Sequence, residues 1–306
     1  SDPRGSATTC QPLPAMILVT GAAGKTGRAI IRALARRKEG VRALVYRPAQ
    51  AASLHALGVD DVLVGDLRDP SAADQAAKGV RAIYHIAPNV NPDEVSIGRN
   101  AIAAARSRGV EHFVFHSVFH PQVEAMPHHW LKARVEELLF QSRLSYTILQ
   151  PALYMQNMLG SWDQILGGRY PVPYALETRL SLVDLDDVAE GAAIVLTEPG
   201  HNDETIEMVG TPAMSQVQIA EALSGQLGHR VVAESVPLER WEQRARASGL
   251  GDYQISTLRK MFSYYETYGF TGNPNALRVL LQREPTSFED FVKRTIGERK
   301  DAIRVG

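Results

Sequence analysis

Residues 16–38 read MILVTGAAGKTGRAIIRALARRK, in which a short β-rich apolar run passes directly into a glycine-rich turn and then into a helical pattern. The turn carries Gly21, Gly24 and Gly27 at GxxGxxG spacing. A strand that turns at once into a helix leaves the first backbone N–H groups of the helix unpaired, and glycine lets a pyrophosphate approach them without a Cβ in the way. This stretch therefore predicts a dinucleotide site. The alternative is a glycine-rich turn that binds nothing.

Short β-branched runs and longer helical stretches alternate from Met16 onward, which is typical of a parallel sheet covered on both faces. Several strands are apolar at consecutive positions, as expected when both faces are buried. The fold class predicted is α/β, a Rossmann-type doubly wound parallel sheet with a smaller, mostly helical C-terminal substrate region. The predicted strands are Met16–Thr20, Val41–Tyr46, Val62–Gly65, Ala82–Ile86, Phe113–His116 and Ser145–Gln150, and the predicted helices are Gly27–Arg37, Ala49–Leu57, Pro70–Ala77, Glu94–Arg108 and Leu131–Gln141.

The domain boundaries are placed where the sequence pattern changes after Pro151. A Gly/Pro/Tyr-rich loop at 167–174 interrupts the alternation of predicted strands and helices there. We expect a tag or disordered leader over 1–15, an NAD(P)-binding Rossmann domain over 16–156 with a later return near 180–210, and a substrate-binding region over 157–306. The predicted elements of this second part are the strand Leu180–Val183 and the helices Val188–Leu196, Met214–Leu227, Leu238–Ser248, Ile255–Tyr268 and Ser287–Thr295, the last opened by a capping box from Thr286 to Glu289.

Composition limits the class of partner. The 306 residues include 33 basic and 34 acidic side chains, for a net charge of −1, so no large field of one sign would gather nucleic acid or a membrane surface. No run of eighteen apolar residues occurs, which predicts no membrane-spanning helix. The single cysteine, Cys10, excludes an internal disulfide and favours a reducing, cytoplasmic location. We expect a small-molecule partner and a monomer or homodimer.

The end of the second predicted strand bears on cofactor choice. An NAD-specific site usually offers an acid there to the ribose 2′-hydroxyl, whereas this chain has Tyr46-Arg47. A guanidinium can fork onto the 2′-phosphate of NADP, and Lys25 adds a second positive charge, so NADP(H) is favoured over NAD(H). The alternative for Arg47 is a solvated strand-end residue. Asp66, followed by Leu67, has the position to accept from an adenine amino group, or is instead an Asx-turn residue.

A family resemblance appears in the fifth strand and beyond. Ser117 follows that strand and Lys132 lies on the next helix, an order similar to short-chain dehydrogenase/reductases, whose site is Ser with Tyr-x-x-x-Lys. Four residues before Lys132 this chain has His128 instead of tyrosine. With the strings LQPALYMQN at 149–157 and VDLDDVA at 183–189, the chain resembles the atypical NmrA-like branch from Met16 to about Thr295. Members of this branch include NAD(P)H-dependent quinone reductases, relatives of phenylpropanoid reductases, and regulators that bind the cofactor and reduce nothing. The resemblance implies that this chain has one of these three functions.

Hydride transfer needs a cation near the nicotinamide or ribose and a proton source for the developing oxyanion. Lys132 is predicted to supply the cation. Because an imidazole titrating near pH ~6.5 can replace a phenol, His128 or else His129 is predicted to act in place of the tyrosine, with Ser117 or else His116 on the substrate oxygen. In the plain alternative, Lys132 and Glu136 form an exposed i,i+4 pair and the histidines His128 and His129 face solvent. His116 is at least as consistent with a satisfied core histidine.

Ligands of open α/β sheets bind beyond the carboxyl ends of the strands. The cofactor-binding residues expected on this basis are Gly21, Ala23, Gly24, Lys25, Thr26, Gly27, Arg47, Asp66, Leu67, Ala87, Pro88, Lys132 and Pro151. The expected substrate residues are Phe119, His120, Tyr154, Asn157, Met158 and Trp162, with core packing as the alternative for each. The late aromatic residues Tyr253, Phe262, Tyr264, Tyr265, Tyr268 and Phe270 are expected to cap the cavity or pack the small region.

The sequence thus predicts an NADPH-dependent oxidoreductase that reduces a quinone or a conjugated or aromatic carbonyl compound by hydride transfer. A reductase of a specialised biosynthetic pathway is a variant of this hypothesis. The hypothesis from another class is an NADP(H)-binding redox sensor without turnover, which the missing tyrosine favours. No histidine pair has metal-ligand spacing backed by carboxylates, so no metal site is predicted.

Overall fold

The computed structural model describes residues 16–59 and 61–305. The predicted leader over 1–15, with Cys10, lies outside the described residues. The strands are β1 Met16–Val19, β2 Val41–Val45, β3 Asp61–Val64, β4 Val80–His85, β5 His112–His116, β6 Tyr146–Pro151, β7 Leu153–Tyr154, β8 Arg169–Val172, β9 Leu182–Val183, β10 Glu204–Met208 and β11 Val232–Ser235. The α-helices are α1 Lys25–Arg36, α2 Ala51–His55, α3 Pro70–Ala77, α4 Glu94–Arg108, α5 Pro127–Phe140, α6 Trp162–Leu166, α7 Leu185–Thr197, α8 Gln216–Leu227, α9 Leu238–Ala247, α10 Asp252–Tyr268, α11 Asn275–Leu281 and α12 Phe288–Val305, with 3-10 segments at Pro48–Gln50 and Met155–Ser161.

Seven strands form one parallel sheet in the order β10-β6-β5-β4-β1-β2-β3. This arrangement confirms the predicted Rossmann-type doubly wound fold. The strand order reverses between β1 and β4, and in such sheets the crevice beyond the carboxyl ends at the reversal is where ligands bind. We call the crevice beyond the ends of β1, β4, β5 and β6 the cleft.

Both faces of the sheet are buried, as the consecutive apolar positions predict. Ile17 and Val19 of β1 face one hydrophobic core, and Leu18 faces the other. Helices α1 and α7 pack together against the first core, whereas α3, α4 and α5 cover the second. Burial of an Ile or Leu side chain contributes roughly 1.5–3 kcal/mol, so this two-sided covering fixes the strand ends that form the cleft.

The C-terminal part adds smaller elements. Strands β8 and β11 pair in parallel, as do β7 and β9, while α11 packs on α7 and α12 on α8. The prediction of a loop at 167–174 is wrong in part, because strand β8 lies within this range.

Several predicted helix starts need correction; α7 and α10, for example, begin at Leu185 and Asp252, three residues before their predicted starts. Two other corrections have a clear physical reason. The cap of α12 is Ser287, whose hydroxyl accepts from Asp290 N–H at 3.1 Å, not Thr286. Thr286 is unavailable because its N–H and its hydroxyl both donate to Asp187. Helix α5 starts at Pro127, four residues before the predicted start, since proline is well suited to the first helical position.

Among the described residues, no helix is both long enough and apolar enough to cross a membrane.

Candidate functional site

The glycine-rich turn has the backbone that an anion requires. Gly21 has φ +57°, in the left-handed region, and a Cβ there would lie 2.8 Å from the carbonyl oxygen of Ile86. Gly24 caps α1 without any side-chain hydrogen bond, and the first turn of α1 has no acidic residue. The leading amides of α1 are therefore free to bind a negative group, and the helix dipole favours one. A pyrophosphate fits this turn.

Close packing explains the third glycine. A Cβ on Gly27 would lie 2.5 Å from the carbonyl oxygen of Gly21 and 2.7 Å from the Cα of Ala22. Only glycine lets α1 approach β1 this closely, as the dinucleotide fingerprint requires.

The residues expected around the adenosine lie at the ends of β2 and β3. Arg47 is exposed two residues after the end of β2. Asp66 accepts from the Arg68 backbone N–H at 2.9 Å, which is an Asx turn, and its carboxylate also pairs with the Arg68 guanidinium at 2.7 Å. The hydrogen bond from that guanidinium lowers the pKa of Asp66. Asp66 is thus occupied by Arg68, and Leu67 is nearly buried.

Lys132 lies inside the protein, only 5% exposed. Its Nζ donates to Glu94 Oε1 at 2.9 Å and to the carbonyl oxygen of His116 at 3.0 Å, and it lies 5.2 Å from the centroid of the Phe115 ring. The exposed Lys132–Glu136 pair considered above is therefore wrong. The partner is Glu94, on the first turn of α4, because α4 packs against α5 on the same face of the sheet.

Ser117 and Glu136 form a second buried group. The Ser117 hydroxyl donates to Glu136 Oε1, and Gln150 Nε2 donates to the same oxygen at 2.9 Å. Burial raises the pKa of Glu136, while these two hydrogen bonds and the charge of Lys132 oppose the rise. The proton of Ser117 is committed to Glu136, so in this arrangement the serine oxygen can only accept from a ligand.

The two histidines at the start of α5 are buried, and the solvent-facing alternative is wrong. His128 is 8% exposed, its Nδ1 has no hydrogen-bond partner among the described residues, and His129 is fully buried. Burial first, and then the charge of Lys132, lowers the pKa of His128 well below its usual value. Burial likewise lowers the pKa of His129 to about 4. The prediction that His128 titrates near pH ~6.5 is therefore wrong, because burial in the fold keeps this imidazole neutral.

Tyr154 and Asn157 lie across the mouth of the cleft from the glycine-rich turn. Lys25 Nζ donates to Asn157 Oδ1 at 3.0 Å and sits 5.3 Å from the centroid of the Tyr154 ring. The Tyr154 hydroxyl lies 2.7 Å from His116 Nε2. Met158 is half-buried in the same 3-10 segment.

The remaining expected cofactor residues end strands β4 and β6 or follow them. Ala87 and Pro88 follow β4, the first buried and the second exposed, and Pro151 is the buried last residue of β6. Thr26 is buried and Ala23 half-buried in the glycine-rich turn.

Two expected substrate residues are buried inside the protein, and a third is half-buried against one of them. Phe119 is 1% exposed, and its ring lies 5.1 Å from that of Phe270. His120 stacks on Phe119 at a centroid distance of 3.7 Å. Trp162 is 2% exposed in the core of the first face. Of the late aromatic residues, Tyr265 and Phe270 join this packing, whereas Tyr268 is 72% exposed.

An open groove of about 710 Å³ lies elsewhere, on helices α9 and α10. Its lining includes Ala125, Leu238, Ile255 and Tyr264, and none of the expected substrate residues. The charged groups Glu242, Arg246 and Arg259 in it are paired with one another or with nearby acids.

Sequence reasoning missed Glu94 and Tyr84. Glu94 is 1% exposed at the start of a helix, and its Oε2 has no partner in the described part of the chain. An acidic residue in the first turn of a helix is ordinarily explained by its favourable interaction with the helix dipole. The charge of Glu94 alone therefore did not indicate a functional role. Tyr84 is fully buried at the end of a hydrophobic strand and bonds to His116 Nδ1. Within residues 16–59 and 61–305, no group of three or more His, Cys, Asp or Glu side chains is placed to hold a metal ion.

Comparison with known proteins gives a consistent set of relatives. The sequence profile described as the NmrA-like family matches residues 14–292. The NAD(P)H azoreductase of Xenophilus azovorans is 30% identical over 281 residues, which cover 91% of this chain and 97% of that protein. Quinone oxidoreductase 2 of Escherichia coli K12 is 28% identical over 239 residues, 78% of this chain and 83% of its own.

Solved structures agree with the fold. The NADPH-dependent quinone oxidoreductase QOR2 of Escherichia coli, in complex with NADPH, has a TM-score of 0.80 and 26% identity, covering 92% of this chain and 100% of its own. The negative transcriptional regulator NmrA in complex with NAD has a TM-score of 0.76 at 17% identity, covering 95% of this chain and 98% of its own. The second likeness concerns the fold alone.

Proposed function

The chain belongs to the NmrA-like family, and from that premise we propose that it is an NADPH-dependent oxidoreductase that reduces a quinone or a conjugated or aromatic carbonyl compound. Two relatives, an azoreductase and a quinone oxidoreductase, carry names of this kind and align over most of the chain. The reductase relatives are what favours turnover over cofactor binding alone.

The observation that carries the proposal is the ammonium of Lys132 inside the cleft. Two of its three N–H groups have acceptors among the described residues, Glu94 and the carbonyl of His116. The third N–H is left to donate to a ligand hydroxyl, such as that of a nicotinamide ribose. A cation held this way by two buried acceptors is oriented before any ligand arrives, which is the condition for efficient positioning.

The residues that would hold the cofactor follow the cleft from the glycine-rich turn outward. The amides of Lys25, Thr26 and Gly27, beside Gly21, Ala23 and Gly24, would bind the pyrophosphate, and Ala87, Pro88 and Pro151 would flank the nicotinamide. Arg47 would bind the 2′-phosphate, because a guanidinium can donate two parallel N–H hydrogen bonds to a phosphate. Asp66 and Leu67 would border the adenine, with the Asx turn setting the shape of that wall. When bound, the reduced nicotinamide supplies hydride.

A quinone suits the polar groups of the site. Ser117 has committed its proton to Glu136, so its oxygen can only accept from a substrate hydroxyl, whereas the neutral His128 can donate one N–H to a substrate oxygen, and neither side chain is a strong acid. The oxygen of a reduced quinone is a stabilised phenolate, which needs little proton donation. Tyr154, Asn157 and Met158 would border a flat ring from the far side, with His120, Phe119 and Trp162 supporting that wall from the core.

The test measures oxidation of NADPH with a panel of quinones and conjugated carbonyl compounds. The wild type is expected to turn over, and the double variant Lys132→Met/Glu94→Gln to remain folded and lose at least about 100-fold in kcat. Arg134→Ala, which removes an exposed cation of the same helix, serves as the control and is expected to match the wild type. Full activity in the double variant would remove the case for Lys132.

The second candidate is a redox sensor that binds NADP(H) without turnover. It is favoured by the Ser117 hydroxyl, which is turned to Glu136. Micromolar binding of NADPH together with no reduction of any compound in the panel would select this candidate and overturn the first.

A further inference from the structure

A chain of three side chains joins the buried sheet to the cleft. The Tyr84 hydroxyl, at the end of β4, bonds to Nδ1 of His116, the last residue of β5. Nε2 of the same ring lies 2.7 Å from the hydroxyl of Tyr154. Tyr84 is 0% exposed and His116 5% exposed, so no water competes for the inner bond.

Burial decides the direction of the hydrogen bonds. The Tyr84 hydroxyl has no other partner among the described residues, and a phenol hydrogen left unbonded in the core is unfavourable because it has lost its hydrogen bond to water. Tyr84 therefore donates to His116 Nδ1. Burial, with the charge of Lys132 as the second cause, lowers the pKa of His116 to about 3, so the ring is neutral and carries one proton. That proton must be on Nε2, and Nε2–H donates to the oxygen of Tyr154.

The hydroxyl hydrogen of Tyr154 is consequently turned away from His116. Burial raises the pKa of Tyr154, so its proton stays on at neutral pH. Tyr154 itself is only half-buried, with Lys25 Nζ over its ring. With its oxygen accepting from His116, the phenol presents at the mouth of the cleft an O–H donor that has no acceptor among the described residues.

Resting on the proposed function, we infer that Tyr154 is the proton donor of the reaction, in the role of the tyrosine missing at position 128, with His116 and Tyr84 as positioning residues. The O–H bond of Tyr154 breaks and an O–H bond forms on the substrate oxygen that holds the electron pair after reduction. The Tyr154 phenolate is stabilised by His116 Nε2–H and takes its proton back from water once the product leaves.

This assignment predicts a dependence on substrate class. The oxygen of a reduced carbonyl compound is strongly basic and needs a proton, so Tyr154→Phe is expected to lower its kcat by about 10²–10⁴-fold. The oxygen of a reduced quinone is a stabilised phenolate, so the same variant is expected to lower quinone turnover by less than about 10-fold. Tyr170→Phe is the matched control, since it removes another buried phenol hydroxyl, bonded to Gln216 and not to the histidine chain.

A measurement without turnover tests the positioning residues. Nitrogen-15 NMR of the His116 ring is expected to place the proton on Nε2 in the wild type, and to show mixed tautomers in Tyr84→Phe but not in Tyr170→Phe. A wild-type ring protonated on Nδ1, or a Tyr154→Phe variant that reduces carbonyl compounds within about 3-fold of the wild type, would overturn the inference. If the wild type reduces none of the compounds, both the proposed function and the donor role of Tyr154 are rejected. If the wild type turns over and only the donor role is wrong, the proposed function stands.

Discussion

The buried pair of Lys132 and Glu94 allows a quantitative test of how the cleft is held together. The two side chains are 6% and 1% exposed, and Nζ lies 2.9 Å from Oε1. Removing one partner of such a pair leaves the other charge buried without a partner and away from water, which lowers the free energy of unfolding by about 3–5 kcal/mol. Lys132→Met and Glu94→Gln are each expected to lose this much, a large fraction of a typical total stability of roughly 5–15 kcal/mol.

The double variant is expected to be more stable than either single variant. If the two losses were independent, Lys132→Met/Glu94→Gln would lose about 6–10 kcal/mol. Since neither charge remains to be stranded, we expect a loss of only about 1–3 kcal/mol, and hence a coupling energy of at least about 3 kcal/mol.

Urea unfolding measures these differences. With an m-value of about 3 kcal/mol/M, a loss of about 4 kcal/mol lowers the midpoint by roughly 1.3 M. The control is Arg134→Ala, which breaks an exposed pair with Glu137 and is expected to cost less than about 1 kcal/mol. A coupling energy below about 0.5 kcal/mol for the Lys132–Glu94 pair would refute the reasoning, because it would mean that water solvates each charge independently.

Three other predictions follow from single sites. Arg47→Asp is expected to weaken NADPH binding far more than NADH binding, measured by calorimetry, and equal losses would remove the case for phosphate recognition. Gly27→Ala is expected to lower stability by about 1–3 kcal/mol because its Cβ would meet backbone of Gly21 at 2.5 Å, whereas Gly24→Ala, at 3.2 Å from the same oxygen, is expected to keep the thermal midpoint but weaken cofactor binding. Burial, and secondarily the charge of Lys132, lowers the pKa of His85 to about 3. In the unfolded chain the imidazole titrates near pH ~6.5. The neutral His85 therefore makes its full contribution to the free energy of unfolding above that pH, and this contribution falls by about 1 kcal/mol for each pH unit below it. His85→Asn is expected to make the fall in urea midpoint between about pH 6.5 and 5 less steep, with the remaining fall due to His116, His128 and His129, and an unchanged slope would contradict the assigned protonation.

The sheet and the turn were predictable because their signals are local. Consecutive apolar residues in β1, β4 and β5 predicted strands buried on both faces, and the structure confirms the parallel sheet that they form. The elements that sequence reasoning missed include β10, the edge strand of the main sheet, and the smaller β8, β11, α6 and α11. All are short, and their stability comes from the neighbours they pair with or pack on rather than from a period of their own.

The sequence by itself determined the fold class and the position of the glycine-rich turn, since both depend on residue spacing within one segment. Only the tertiary structure decided which groups meet in the cleft. Lys132 pairs with Glu94, 38 residues earlier, instead of with Glu136 one helical turn away, and Tyr154 reaches His116 across the same separation of 38 residues. The protonation of His128 and His116 was decided there too, because desolvation depends on what surrounds a ring in space and not on its neighbours in the chain.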